Sequence, residues 1–352
     1  MKRKIAICVI LLILSVSIIG VIYLQETNKE KYQIAIIRPV FSKTAFQDSF
    51  YPFFRANQNL SYGEFTTDRL ELLNVTVIDE LDDWSFSDGI RNTINQFNGL
   101  FESVIFDANI TYLSDVDIHE GHNLTQYDLV IIGFEEYVSQ RMYDAYFQYV
   151  SGGGTLLVND ACTFLCEVDY KDGYMWLVNG KGFAFNGTHA WKSIYHRWPE
   201  ENRNWLGSNF RYLKYGFTPW NLLFNDSHVL NTPFSNEFST NYTSLYKGHE
   251  ENFISNMSNT EIIAYWHDPD PRTDNTTIAI YRHKYRKGSV FHMGIMYSKV
   301  MYRDLALLRL FVDVIRYLLT NEIAPWEIPT EANIQAKVSE YHLSLEALKG
   351  II

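Results

Sequence analysis

Apolar and polar positions along the chain fall into three regimes. Residues 5–24 form an unbroken apolar run behind Lys2, Arg3 and Lys4. As a helix rising about 1.5 Å per residue, such a run spans about 30 Å, the thickness of a bilayer's hydrocarbon core. A cleaved signal peptide has a shorter apolar core, about 7 to 15 residues, so the pattern predicts an uncleaved transmembrane signal anchor. The three cations place residues 1–4 in the cytoplasm and the rest of the chain outside the cell. A polar linker follows over residues 25–32.

From residue 33 the pattern changes to short β-branched runs separated by amphipathic stretches, which is how a parallel sheet covered by helices reads. The runs predict strands at 33–37, 75–78, 103–106, 128–132 and 155–158. Between them, Ser87 caps an expected helix to residue 98 with Ile90, Ile94 and Phe97 on one face. Ser139 opens another carrying Met142, Tyr146, Phe147 and Val150, which Gly152, Gly153 and Gly154 stop. From about 170 to 258 the rhythm is lost in a stretch dense in Trp, Tyr, Asn and Gly, an insertion of loops and short strands. Regular structure resumes at 261–266. A hairpin-like pair follows, 277–282 and 289–295, around Lys287 and Gly288, then a helix over 304–319 with Leu305, Leu308, Phe311, Val312, Ile315 and Leu319 on its apolar face. The tail, 326–352, reads as a loop with one short helix over 334–348. The expected fold class is α/β: a doubly wound, mostly parallel sheet spanning 33–325, flavodoxin-like, with an aromatic-rich insertion and one preceding transmembrane helix.

Composition narrows the partners. Thirty basic against forty-one acidic residues leave a net charge of -11, so there is no basic field to hold a phosphate backbone and nucleic acid is not an expected partner. A 47% hydrophobic chain is not disordered as a whole. Asn-x-Ser/Thr sequons occur at Asn59, Asn74, Asn109, Asn123, Asn186, Asn225, Asn241, Asn256 and Asn275. Chance would supply about three, so the excess points to an N-glycosylated surface of archaeal or eukaryotic type, although a chain rich in Asn and Thr would also raise the count. Besides Cys8 in the apolar run, only Cys162 and Cys166 are present, so the fold does not depend on disulfides.

The run Tyr127-Asp128-Leu129-Val130-Ile131-Ile132-Gly133, then Glu135-Glu136-Tyr137, a helix, Gly152-Gly153-Gly154-Thr155-Leu156-Leu157-Val158-Asn159 and a turn to Cys162 resembles the class I glutamine amidotransferase-like superfamily. The later Arg286-Lys287-Gly288-Ser289-Val290-Phe291 with Met293-Gly294-Ile295 looks like that superfamily's closing strand. Within it, the chain is similar to the C-terminal domain of the N,N-dimethylformamidase large subunit, in which Glu-Tyr-Trp follows the strand; here Val138 stands where that family has Trp. The resemblance implies two kinds of chemistry. One uses a nucleophilic Cys on a tight strand-to-helix turn, a position Cys162 approaches. The other uses iron, or another divalent metal, held by tyrosinates and a carboxylate to hydrolyse an amide; Tyr137, with Glu136, matches part of that motif and is the expected metal ligand.

The residues themselves qualify both. The stretch Asn159-Asp160-Ala161-Cys162 lacks the glycines of a sharp elbow, and Asp160 would raise a thiol pKa, so Cys162 is either a nucleophile, a buried thiol or half of a pair with Cys166. His292 falls mid-strand, where a histidine is a core or face residue, so no Cys-His-Glu triad is complete. His119 and His122 lack a third ligand and read as a solvated loop; Asp268, Asp270 and Asp274 read as a surface turn. Trp176, Trp191, Trp198, Trp205 and Trp220 either stack sugar faces or form the insertion's own core. Pocket residues at the strand carboxyl edge are then Glu135, Glu136, Tyr137, Asn159, Asp160, Cys162 and Tyr297: Cys162, Glu136 and Tyr137 in catalytic roles, the others in binding. Two functions follow. The first is an extracellular, membrane-anchored protein without the triad that binds glycan or cell-surface material, and the missing triad partner favours it. The second is a membrane-anchored hydrolase of an amide or related C–N bond.

Overall fold

The computed structural model describes residues 31–46, 50, 75–77, 108–159, 163–178, 197–215, 221–225, 237–239, 246–253, 257–266, 278–294 and 305–321. The expected anchor at 5–24, the strand at 103–106 and the helices at 87–98 and 334–348 lie outside them. Among the described residues no helix is long and apolar enough to cross a membrane.

In chain order the elements are β1 (Tyr32–Arg38), α1 (Val40–Phe46), β2 (Val75–Thr76), β3 (Ala108–Ser114), α2 (Asp115–His119), β4 (Leu129–Gly133) and β5 (Tyr137–Val138). Then come α3 (Gln140–Gly152), β6 (Thr155–Asn159), β7 (Cys166–Lys171), β8 (Tyr174–Leu177), α4 (Pro199–Trp205), β9 (Ser208–Tyr215), β10 (Asn221–Phe224) and β11 (Glu237–Ser239). The last are β12 (Tyr246–Phe253), β13 (Thr260–Trp266), β14 (Ile278–Tyr285), β15 (Gly288–Met293) and α5 (Leu305–Thr320).

Five strands, in the order β3-β1-β4-β6-β15, run parallel. Counted along the chain that is the 2-1-3-4-5 order of flavodoxin-like sheets. Both faces are covered, which is why these strands read as unbroken apolar runs. Ala35, Ile37, Val130, Ile132, Leu156, Val158 and Val290 pack in one core with Met142, Tyr146, Tyr149 and Val150 of α3. Their neighbours Ile36, Ile131, Leu157 and Phe291 are equally buried, and the Phe291 ring meets Tyr317 of α5 at 6.3 Å.

The sheet is parallel only as far as β15. Beyond it β14, β13, β10 and β11 continue antiparallel, because β14 and β15 are joined by a two-residue turn with Arg286 at φ 51°. Hairpin turns of this length require a positive φ, and they reverse direction without a crossover helix. A second, four-stranded sheet, β2-β8-β7-β5, grows from the segment after β4. The strand expected at 75–78 is there, as Val75–Thr76, but it pairs with β8 of this small sheet and not with the main one. The expected insertion contributes α4, and for two of the five tryptophans the choice left open above is decided: Trp198, just before α4, and Trp205 are 2% and 1% exposed, so they are core, while Trp191 and Trp220 lie outside the described residues. Tyr143 stacks on Trp198 at 4.3 Å and 7°, and Trp205 Nε1 donates to the Tyr143 hydroxyl at 2.8 Å. The Tyr143 hydroxyl donates on to Asn202 at 3.0 Å, so the polar atoms of this aromatic cluster are satisfied within it.

Ser139 caps α3, its hydroxyl accepting the Met142 N–H at 3.3 Å, and Gly153 at φ 127° ends it. The chain then re-enters the sheet under tight contact. A β-carbon on Gly288 would run into the carbonyl oxygens of Val150 and Gly154, whereas one on Gly152 would meet nothing within 4 Å. Gly288→Ala is therefore expected to lose on the order of 1–3 kcal/mol in urea denaturation, the cost of overpacking against backbone. Gly152→Ala, at the helix end and with free space, should be neutral or gain up to about 1 kcal/mol in the same measurement.

Candidate functional site

In a sheet of this strand order, the first and third parallel strands send their connections to opposite sides, and a crevice opens outside their carboxyl ends. Here those strands are β1 and β4. Asp115, one residue past β3, is fully buried and its Oδ2 accepts the Phe41 N–H of α1 at 2.7 Å. Local chemistry aims it there. Ser114 and Asp117 form a capping box, with the Ser114 N–H donating to Asp117 Oδ2 at 2.7 Å, so Asp117 turns back to the cap and Asp115 turns inward.

Glu135, two residues past β4, is also fully buried. Neither of its carboxyl oxygens meets a hydrogen-bond donor among the described residues. Its neighbour is the Asp115 carboxyl. Two carboxyl groups are both acceptors, so their contact becomes a hydrogen bond only when one holds a proton. Burial, and then the Asp115 charge, push Glu135 well above the usual carboxylate range. Asp115 accepts an N–H, which favours its ionised form, and the raised Glu135 is the member of the pair that favours its protonated form. Tyr146 of α3, fully buried beside them, is held as the neutral phenol by burial first and by Glu135 and Asp115 second. Just before Glu135, Phe134 sits at φ 64°, a left-handed conformation that costs a non-glycine residue about 1–3 kcal/mol and persists only where its surroundings enforce it. Its N–H donates to the Asn159 carbonyl at 3.3 Å, which ties the strained turn to the end of β6.

Glu136 and Tyr137 face a different neighbourhood. The Tyr137 N–H donates to Ser42 Oγ at 3.0 Å, and its ring lies edge-on to Phe50 at 5.6 Å and Phe46 at 6.2 Å. Cys166 of β7 is a buried free thiol, raised first by burial and then by Glu136, with a Tyr137 contact opposing. The metal site implied by resemblance needs a second tyrosine and a carboxylate gathered with Tyr137. The other buried phenol at this edge, Tyr146, stands beside Glu135 and Asp115, and among the described residues no three His, Cys, Asp or Glu side chains are grouped closely enough to hold an ion.

Of the other expected residues, Asn159 ends β6, fully buried, with neither side-chain polar atom bonded among the described residues. Asp160, Cys162 and Tyr297 lie outside the described residues, as do Asp268, Asp270 and Asp274. His292 lies in β15 with its ring stacked on Tyr281 at 5.0 Å, a core position as expected. His119 departs from the solvated loop expected for it: it closes α2, is buried, and its Nδ1 pairs with Ser139 Oγ at 2.8 Å. Burial, the largest influence, lowers its pKa. His122 stacks on Tyr127 and its Nε2 lies 3.0 Å from that hydroxyl. Asp115 and Tyr146 were not among the expected site residues. Ser114-x-x-Asp117 is a capping-box pattern, and it would have ended a strand at Ser114 and set Asp115 on the same edge as Glu135.

A family model described as N,N-dimethylformamidase beta subunit-like, C-terminal, matches residues 106–297, more than half of the chain and all of the span from β3 to β15. No curated protein matches. Among solved structures the chain is similar to a catalytic mutant of a GH42 beta-galactosidase from G. stearothermophilus, at 12% identity and a TM-score of 0.45, over 78% of this chain and 29% of that one. It is similar to a cold-adapted beta-galactosidase from Rahnella sp. R3, at 10% identity and a TM-score of 0.46, over 81% and 31%. A ThuA-like protein from Bacteroides uniformis matches at 10% identity and a TM-score of 0.45, over 83% and 92%. The chain thus spans about three tenths of the length of these beta-galactosidases.

The raised Glu135 sets a sign for stability against pH. A carboxyl whose folded pKa exceeds its unfolded one contributes stability in full below the unfolded value, 4.5, and loses it as pH rises through the folded value. Urea denaturation of the chain is therefore expected to show stability falling from about pH 5 toward alkaline pH. Glu135→Gln keeps a donor for Asp115 and removes the titration, so its profile should be flatter, with equal or higher stability at pH 8.

Proposed function

Because the chain belongs to the N,N-dimethylformamidase beta subunit-like, C-terminal family, we propose that its carboxyl-edge crevice hydrolyses the C–N bond of a small amide. The observation that carries this reading is the fully buried Glu135 carboxyl beside Asp115, with no donor to either oxygen among the described residues, at the switch point between β1 and β4. An amide nitrogen does not depart as an anion. It leaves once protonated, and a carboxyl kept neutral near pH 7 is the group suited to protonate it. In the proposed step Glu135 gives its proton to the nitrogen as the C–N bond breaks, and the hydroxyl of water ends on the acyl carbon. The remaining proton of that water returns to the Asp115–Glu135 pair, so acid and amine leave and the pair is restored. Two adjacent buried negative charges are unstable, which drives this return.

Cys162, three residues past Asn159 in sequence, and Glu136 with Tyr137 are the other candidate catalytic groups; Asn159, Asp160 and Tyr297 are candidate binding groups. The anchoring and exterior location read from residues 1–24 belong to the same proposal. The described chain enters β1 at the amino edge of the sheet, opposite the crevice, so an anchor preceding it would leave the crevice open toward the outside.

The test is amine release by the full chain from formamide, N-methylformamide and N,N-dimethylformamide. Glu135→Gln should lower kcat about 10²- to 10⁴-fold, the usual contribution of a general acid, while Cys162→Ser stays near wild type. A loss confined to Cys162→Ser would move the chemistry to the thiol. Iron or zinc that co-purifies with wild type and falls in Tyr137→Phe would move it to a metal, and no amine from any amide with the wild type would leave a binding protein.

A further inference from the structure

The asparagines of three of the nine sequons fall within the described residues, and all three are exposed, yet the fold presents them in different chemical states. Asn123 lies between α2 and β4 and caps the short 3-10 turn Leu124–Gln126. Its Oδ1 accepts two hydrogen bonds from the third residue of its own sequon, the Thr125 N–H at 3.0 Å and the Thr125 hydroxyl at 2.8 Å. The amide nitrogen, Nδ2, makes no bond and faces solvent. Two donors on the amide oxygen stabilise negative charge there and so make an Nδ2 proton easier to remove; the nitrogen that loses it carries a lone pair able to attack carbon. The turn also holds the backbone in the bent conformation that lets Asn and Thr be read together.

The other two are held differently. Asn109 is the second residue of β3, whose backbone is paired along its length with β1, so its sequon is fixed in an extended shape. Asn225 has its Nδ2 donating to the Ile262 carbonyl at 3.3 Å and its backbone N–H to the Ile263 carbonyl at 2.8 Å. Its nitrogen is already engaged, and its backbone is held against β13.

We propose that Asn123 is the preferred N-glycan acceptor among these three in the folded protein, the donor being a polyprenyl-phosphate-linked oligosaccharide. A bond forms between Nδ2 and the anomeric carbon. The bond from that carbon to the phosphate oxygen breaks, the phosphate leaves with the electron pair, and one Nδ2 proton passes to the transferase. The oxygen that caps the turn forms and breaks no covalent bond, so the turn survives the modification. Asn123 precedes β4 at the amino edge of the sheet, whereas Glu135 follows that strand's carboxyl end, so a glycan there leaves the crevice clear.

This site rests on the exterior location proposed above, and the experiment separates the two. The purified, folded full chain is offered to a single-subunit oligosaccharyltransferase with a lipid-linked oligosaccharide, and glycopeptides are quantified by mass spectrometry. Synthetic peptides covering residues 120–128 and 221–229 serve as controls free of the fold. Asn123 should be modified at least about tenfold faster than Asn225 in the folded chain, while the two peptides differ by much less. Thr125→Ser should retain Asn123 modification and Thr125→Ala should abolish it, each with an unchanged melting temperature. Equal rates at Asn123 and Asn225 in the folded chain, or faster modification of Asn225 or Asn109, would overturn the proposal. Absence of glycan on protein from its native cells, beside the expected order in the purified reaction, would overturn the exterior location instead.

Discussion

Two carboxyl groups, Asp115 and Glu135, are buried beside each other, and the carboxyl edge of the sheet is arranged around that constraint. Leaving both ionised in a dry site would cost several kcal/mol. The pair therefore favours sharing a proton, and Glu135 is the member raised toward holding it: Asp115 takes the Phe41 N–H, whereas Glu135 meets no donor among the described residues. For this to happen α1 must begin at once after β1, which it does behind Pro39, whose carbonyl accepts the Lys43 N–H at 2.8 Å. The chain after β4 must also turn sharply, which it does through the left-handed Phe134. Each feature is locally unfavourable or unremarkable alone. Together they place an uncharged acid where a parallel sheet opens.

The insertion is coupled to this edge by backbone bonds. The Glu135 carbonyl accepts the Phe164 N–H at 2.7 Å, and the Glu136 carbonyl accepts those of Leu165 and Cys166, each at 3.0 Å. That second segment is held in turn. Asn202 Nδ2 donates to the Phe164 carbonyl at 3.2 Å, the Arg197 N–H to the Leu165 carbonyl at 2.9 Å, and the Arg197 Nε pairs with Glu167 at 2.6 Å. Thus Trp198, Trp205 and their partners in α4 serve as a buttress. Aromatic pairs of this kind contribute about 0.5–1.5 kcal/mol beyond area burial, and here that energy braces the peptide groups on either side of the acid. Trp198 and Trp205, two of the five tryptophans that look like a sugar platform in the sequence, are buried as structure.

How much of this was legible depended on whether a pattern is local. The helix capped at Ser139 and stopped by glycine, the strands β1, β4 and β6, and the final helix were readable because capping, period and termination all sit within one element. The pairing of Val75 with β8 was not, since a two-residue strand carries no periodicity and its partner lies a hundred residues on. The antiparallel extension was half-visible, as a hairpin at Lys287-Gly288, but nothing local says that the hairpin's second strand joins β6 in parallel. Glu135 was readable as a pocket residue by its place after a strand. Asp115 was missed, although its capping box is a local signal, and with it went the reason Glu135 is uncharged.

The division of labour within Glu135-Glu136 shows how fine that margin is. Sequence alone put catalytic weight on Glu136, because it precedes Tyr137, and gave Glu135 a binding role. In extended backbone successive side chains point to opposite sides, and the two carboxyls part accordingly. Glu135 turns to Asp115 and Tyr146. Glu136 turns to Cys166, whose thiol its charge helps to keep protonated and so unreactive. A register shift of one residue would exchange these environments. The left-handed Phe134 and the bonds from residues 164–166 oppose that shift, so the strain at Phe134 is best understood as what assigns the proton to one of two otherwise identical side chains.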